Sequence, residues 1–332
     1  MALRMIELFL PRDHAEKLRE EFKETDFEIH GMWTEDLDDN KKLIRILVST
    51  GGSEPVLDLF EKRFNWLKDY RVVLLPTEAT LPRPADPEKK PDEPKKKPPG
   101  RINREELYTD VVEMAKLDSV FLVMVALSTV VAAVGLEKDS GVIVLSAMVI
   151  APLLGPNIAL ALATTLGDRK LGTTGVKSAL AGFGLAIGLS IAFGLIFGVN
   201  PYTSEIASRT QIGFGDIALA LAAGAAGAIG LTSGASATLI GVMVAVALLP
   251  PTVVTGLLIG GGYFKQAVAA AELVTINLVC LILAAIVTFM IRGIRPNTWW
   301  EAVAAKKATR NALIFGGLLL LLLAALVLWE LR

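Results

Sequence analysis

From residue 119 onward the chain is built from seven apolar stretches, approximately 119–136, 141–166, 176–199, 214–231, 237–261, 268–291 and 312–329. A helix crosses a bilayer's hydrocarbon core in about 20 residues, and each stretch suits that length. Backbone polar groups at that depth must be satisfied inside the protein, so the pattern predicts a bundle of membrane helices. Charge is partitioned to match. Of 67 Asp, Glu, Lys and Arg residues, 47 lie in the first 119 positions and only 20 in the remaining 213. The expected fold is an α-helical polytopic membrane protein with seven transmembrane helices, preceded by a small α+β ferredoxin-like cytoplasmic domain.

That front domain, residues 1–80, reads as strand, helix, strand, strand, helix, strand. Leu3–Leu10 alternates as a strand, and Pro11 suits the first turn of a helix through Ala15, Leu18 and Phe22. Phe27–Trp33 and Leu43–Thr50 read as strands around an acidic turn, Glu35–Asn40. A helix starts at Ser53 and Pro55 and carries Val56, Phe60 and Phe64, and Tyr70–Leu75 is the last strand. This order is the split βαβ pattern, a fold that hosts many roles. Residues 81–100 form a linker rich in Pro and Lys, extended and solvated. Its Lys95–Lys97 run fits anionic lipid headgroups or plain solubility, and both readings stay open. Residues 101–118 read as an amphipathic helix capped by Asn103.

Composition narrows the function. A net charge of −1 gives no reason to expect a nucleic-acid partner. The lone Cys280 excludes a disulfide framework, and the only histidines, His14 and His30, lie in the front part. Neither a nucleophile with a base nor a metal cluster is visible, so no enzyme activity, cofactor or metal is expected.

The basic residues orient the chain. Beyond residue 119, the side shared with the front domain holds Arg169, Lys170, Lys177, Arg292, Arg295, Lys306, Lys307 and Arg310, against Lys138, Arg209, Lys265 and Arg332 opposite. The more basic side is cytoplasmic, so the N-terminus is expected inside and the C-terminus outside the cell membrane. Trp299 and Trp300 suit an interfacial position in a final segment, residues 292–332.

Shifted by 95 residues, the membrane part matches itself without a gap. Eleven of 38 positions between 133 and 170 are identical, among them Gly135/Gly230, Leu153/Leu248, Pro156/Pro251 and Gly167/Gly262. Two repeats, 119–199 and 214–291, would each hold three spans, joined by an external loop at 200–213. An odd number of spans inverts the second copy, a recurrent plan in secondary transporters.

Each copy has a proline break, Ala151-Pro-Leu-Leu-Gly-Pro-Asn157 and Ala247-Leu-Leu-Pro-Pro-Thr252. Proline removes a backbone donor and frees carbonyls, which are tolerated at membrane depth only against protein or water. The two breaks are expected to make a small polar site from Pro152, Gly155, Pro156, Asn157, Pro250, Pro251 and Thr252. Packing kinks are the plainer alternative. Glu272, with Asn277 close by, joins the candidates as an acid inside the sixth span, although it also fits an interfacial position. Small residues such as Ala220, Gly224, Gly184/Gly188 and Gly194/Gly198 permit close helix contact within one chain or in a homo-oligomer.

Gly135-Leu136, Ser146-Ala-Met-Val-Ile-Ala-Pro-Leu-Leu-Gly-Pro156 and the preceding Arg104-Glu-Glu-Leu-Tyr108 resemble the domain of unknown function 389 family. The resemblance spans about residues 101–291 and implies a polytopic prokaryotic membrane protein. It supplies no activity, substrate or binding residue. Asn157 departs from it by standing where an apolar residue is expected. The residues themselves point to a transporter of a small solute or ion in the lipid bilayer. A channel, or a membrane-anchored sensor whose front domain binds a ligand, is the alternative.

Overall fold

The computed structural model describes residues 3–15, 18, 27, 29–38, 40–64, 66, 67, 69–77, 102–235, 237–296 and 299–330. Side chains are described for all of these except 237–239, 241–246, 299–301 and 323–330. The chain divides into two compact units, Met1–Leu107 and Tyr108–Arg332.

The first unit is built on four strands, β1 (Leu3–Pro11), β2 (Ile29–Asp38), β3 (Lys41–Ser49) and β4 (Arg71–Pro76). They form one antiparallel sheet in the order β2-β3-β1-β4. Period-two alternation sends Ile6, Leu8, Leu10, Ile44, Ile46 and Val48 into a core with Val56, Phe60 and Phe64 of helix α1 (Thr50–Phe64). Residues 12–15 are helical and Leu18 is buried, while Phe22 lies outside the described residues.

The expected acidic turn is corrected. β2 continues through Glu35 and Asp36 because cross-strand cations hold them. Arg45 donates to Glu35 at 2.7 Å and to Glu7 at 2.9 Å, and Lys42 stands 3.7 Å from Asp36. The linker at 81–100 lies outside the described residues. Helix α2 (Arg104–Met114) begins where Asn103 accepts from the Glu105 N–H at 2.9 Å, and the buried Asn103 amide donates to Ser53 at 3.1 Å.

The second unit is helical: α3 (Ser119–Glu137), α4 (Gly141–Ile150), α5 (Leu154–Leu166), α6 (Arg169–Phe197), α7 (Ser204–Ala207), α8 (Phe214–Thr232), α9 (Ala237–Gly260), α10 (Phe264–Ile291) and α11 (Trp299–Glu330). Among the described residues, α3, α6, α8 and α10 are long and apolar enough to cross a membrane. The bent pair α4–α5 makes a fifth if taken as one span. The remaining two expected spans fall in α9 and α11, where part of the side chains lies outside the description, as does the Trp299–Trp300 pair.

Displacement by 95 residues relates the helix ends: α3 at 119–137 to α8 at 214–232, and α6 at 169–197 to α10 at 264–291 within one residue. The backbone follows the same spacing. Among the described residues, those with positive φ fall into three pairs 95 apart: Asp139 and Gly234, Gly167 and Gly262, Gly198 and Gly293. The turns behind the first pair share their hydrogen bonds. Ser140 N–H donates to Gly135 O at 2.9 Å and Ala235 N–H to Gly230 O at 3.1 Å; Asp139 N–H to Leu136 O and Gly234 N–H to Leu231 O do likewise. Packing is reciprocal too, since α9 packs on α6 and α5 packs on α10.

Glycines set the closest approaches. A Cβ on Gly194 would stand 2.4 Å from Leu257 O, and one on Gly224 would stand 2.5 Å from Leu281 O. Gly184 and Gly188 of α6 meet nothing within 4 Å, so that pair serves no contact among the described residues.

Candidate functional site

The first proline segment is a true break. α4 stops at Ile150, and α5 starts at Leu154 on an axis bent by 54°. Ala151, ahead of Pro152, has φ −71° and ψ 119°, the extended backbone that a following proline ring enforces. Pro156, four residues on, withholds the N–H that would have closed a helical bond to the carbonyl of Pro152. The start of α5 has no side-chain cap and lies against main chain, since a Cβ on Gly155 would fall 2.0 Å from Met114 O. Ser178 of α6 secures the same strand of backbone by donating to Ala115 O at 2.6 Å. Nothing in the order of residues pointed to this contact, which joins residues 63 positions apart.

The second expected break is corrected. α9 runs unbroken through Pro250 and Pro251. A side chain replaces the donor that Pro251 removes. Pro251 would have donated to Ala247 O, and Asn277 Nδ2 from α10 donates there instead at 2.7 Å. Thr252 and Thr255 donate back to Leu248 O and Pro251 O, each at 2.7 Å. In the first segment two prolines lie four residues apart, and their freed carbonyls have no comparable helper on a neighbouring helix among the described residues.

One hydrogen bond recurs in register. Asn157 Nδ2 donates to Leu153 O at 2.7 Å, and Thr252 Oγ1, 95 residues on, donates to Leu248 O at the same distance. Each follows the proline common to both segments. Pro156, Asn157, Pro250, Pro251 and Thr252 are buried, Asn157 and Thr252 fully so, while Pro152 is half-buried. The amide oxygens Asn157 Oδ1 and Asn277 Oδ1 are also buried, and both lack a hydrogen-bond partner. Such an oxygen costs about 1–3 kcal/mol when left unpaired, so these two are the chemical anomaly of the unit.

Helix α6 packs against both segments. Gly175 and Gly182 pack on Pro156 and Leu153 of the first, and Ile187 and Ser190 pack on Gly256, just after the second. These contact points lie five to fifteen residues apart along α6, about 8–22 Å of rise. Glu272 stays apart from this arrangement. It is half-buried in the third turn of α10 and has no ion-pair partner among the described residues, and Thr275 beside it is exposed. No group of three or more His, Cys, Asp or Glu able to hold a metal occurs among the described residues.

A family model described as a domain of unknown function (DUF389) matches residues 148–283, a stretch that contains both proline segments. The uncharacterized protein MJ0678 of Methanocaldococcus jannaschii is 37% identical over 316 residues, covering 95% of each chain. No solved structure matches this chain.

Proposed function

Because the chain belongs to the family of the domain of unknown function (DUF389), whose description assigns no activity, we propose a function from the geometry alone: transport of a small solute or ion across a membrane. The observation that carries this is the pair of buried, unpartnered amide oxygens beside two proline segments that share α6. Asn277 stands near the middle of the 28-residue α10, so in a bilayer it lies at about half depth.

In this reading α9 and α11 also cross the bilayer, giving seven spans. Residues 119–199 and 214–291 are inverted three-helix repeats, a view supported by the shared helix ends and the three positive-φ pairs. The bent pair α4–α5 is one discontinuous span. The N-terminus lies in the cytoplasm, and the open Gly184–Gly188 face of α6 serves self-association. Rocking one repeat against the other exposes the site alternately to each side.

The test is flux. Purified full-length chain in liposomes, challenged with a panel of cations, anions and small neutral solutes on a solid-supported membrane, is expected to give solute-dependent currents or uptake. Pro156→Ala with Pro251→Ala should cut that flux at least tenfold. No flux across the panel, together with tight binding of a metabolite to the full chain that Phe60→Ala abolishes, would favour a sensor instead.

A further inference from the structure

We infer that the end of the helical unit at which α6 and α11 begin is a docking surface for the anionic headgroups of phospholipids. Its cations are Arg169, Lys170 and Lys177 of α6 with Lys306, Lys307 and Arg310 of α11. The inference rests on the reading of these two helices as bilayer spans, and not on what the protein transports.

Helix length sets the cations at headgroup depth. α6 has 29 residues and α11 has 32. At ~1.5 Å per residue they measure about 44 and 48 Å, against about 30 Å of hydrocarbon. The surplus is about nine residues in α6 and about twelve in α11. Counted from each helix start, it ends near Lys177 and Arg310 and contains all six cations. The opposite end of α6 is apolar to its last residues, Leu195, Ile196 and Phe197, all exposed. The two starts lie at one end of the unit, since Thr309 donates to Thr164 O of α5 at 3.2 Å and Gly172 packs on Ala163 of α5.

The exposed faces run in the order of a lipid molecule. All six cations are exposed, and none has an ion-pair partner among the described residues. Residues three and four apart share a helix face. On α11 one such face reads Lys307, Arg310, Ile314, Leu318 and Leu321, exposed throughout. On α6 Lys170 and Lys177 lead to exposed Leu180. Cations followed by bare apolar side chains match a phosphate head above its acyl chains. A water-soluble anion would meet the cations and leave the apolar residues uncovered.

Local acids do not cancel this charge. Asp168 accepts from the N–H groups of Lys170 and Leu171 on Oδ1 and from the Tyr108 hydroxyl on Oδ2. Asp110 and Glu113 of α2 form no ion pair with the six cations among the described residues. The other end of the unit carries Lys138, Arg209 and Lys265 together with Glu137, Asp139, Glu205 and Asp216, and Arg209 is paired with Glu205 at 2.8 Å.

Full-length protein in a neutral detergent is offered equal amounts of phosphatidylglycerol and phosphatidylcholine with matched acyl chains, and bound lipid is counted by native mass spectrometry. A preference for phosphatidylglycerol on the order of fivefold is expected. Phosphatidylglycerol should also raise the thermal unfolding midpoint more than phosphatidylcholine does. Lys306→Gln, Lys307→Gln and Arg310→Gln together should lower the preference about threefold and leave the lipid-free midpoint unchanged. Lys306→Arg with Lys307→Arg should keep the preference, as should Lys138→Gln with Lys265→Gln at the other end.

Equal binding of the two lipids, an unchanged preference in the triple variant, or an equal loss in the pair at the other end overturns the inference. Inorganic phosphate that displaces the lipid at millimolar concentration also overturns it, by showing a site for a soluble anion. Solute flux with no lipid preference overturns it and leaves the transport reading standing. Lipid preference that the triple variant loses, with no flux of any solute tested, supports it and overturns the transport reading.

Discussion

Asn277 of α10 donates from Nδ2 to Ala247 O of α9 at 2.7 Å, occupying the acceptor that Pro251 leaves without its helical donor. A side chain 30 positions away thus completes the ladder of a neighbouring helix.

Removing that side chain strands the carbonyl. Asn277→Ala is expected to destabilise the protein by about 1–3 kcal/mol. In a Pro251→Ala background the restored N–H reaches Ala247 O, so the same substitution should cost less than half as much. Denaturant unfolding of the four proteins of this double-mutant cycle measures the coupling. Equal costs in both backgrounds would show that Asn277 does not substitute for the missing donor.

Gly167 (φ 75°) and Gly262 (φ 82°) share a left-handed backbone, and Gly262 has open space around it. An L side chain there pays for the backbone alone, about 1–2 kcal/mol. Gly167→Ala and Gly262→Ala should lower stability by equal amounts within about 0.5 kcal/mol, measured in the same unfolding assay.

Two glycines of α6 should respond in opposite ways. Gly194→Ala pushes a methyl group onto Leu257 O and is expected to cost about 1–3 kcal/mol as overpacking. Gly184→Ala meets nothing within 4 Å and should be neutral or stabilising by up to about 1 kcal/mol through helix propensity. Thermal midpoints of the two variants make the comparison.

In the first unit, buried Asn103 both caps α2 and donates to Ser53. Asn103→Ala should cost about 1–2 kcal/mol. Faster amide exchange at Glu105 and Glu106, read by mass spectrometry on the full chain, is the expected signature.

The sequence made much of this legible. The apolar stretch at 119–136 became Ser119–Glu137 and that at 214–231 became Phe214–Thr232, because long apolar runs have few alternatives. The third helix began earlier than the stretch at 176–199 suggested. Asp168 caps it by accepting from the N–H groups of Lys170 and Leu171, so a charged first turn that hydropathy discards is still helical. The extension of β2 through Asp36 was hidden for a different reason, since it depends on cations presented by the adjacent strand.

At the candidate site the prolines were visible and their consequences were not. Pro152 and Pro156 break their helix, and Pro250 and Pro251 do not. The acceptor freed by Pro251 is taken by Asn277, which sits next to Ala247 only once the chain has folded back. Asn157 stood out in the sequence as a polar residue in an apolar place, but its free oxygen emerges only from the bond its nitrogen makes.

The matching helix ends leave residues 199–213 between α6 and α8, outside both matched stretches. That stretch carries short α7, where the Glu205 N–H fastens to Asp139 Oδ1 at 2.7 Å. It is the seam of the molecule. A chain severed there would yield two separately made pieces, one ending after α6 and one beginning with α8, and the interlocking of Gly194 with Leu257 and of Gly256 with Ser190 would have to hold them together without a covalent tether.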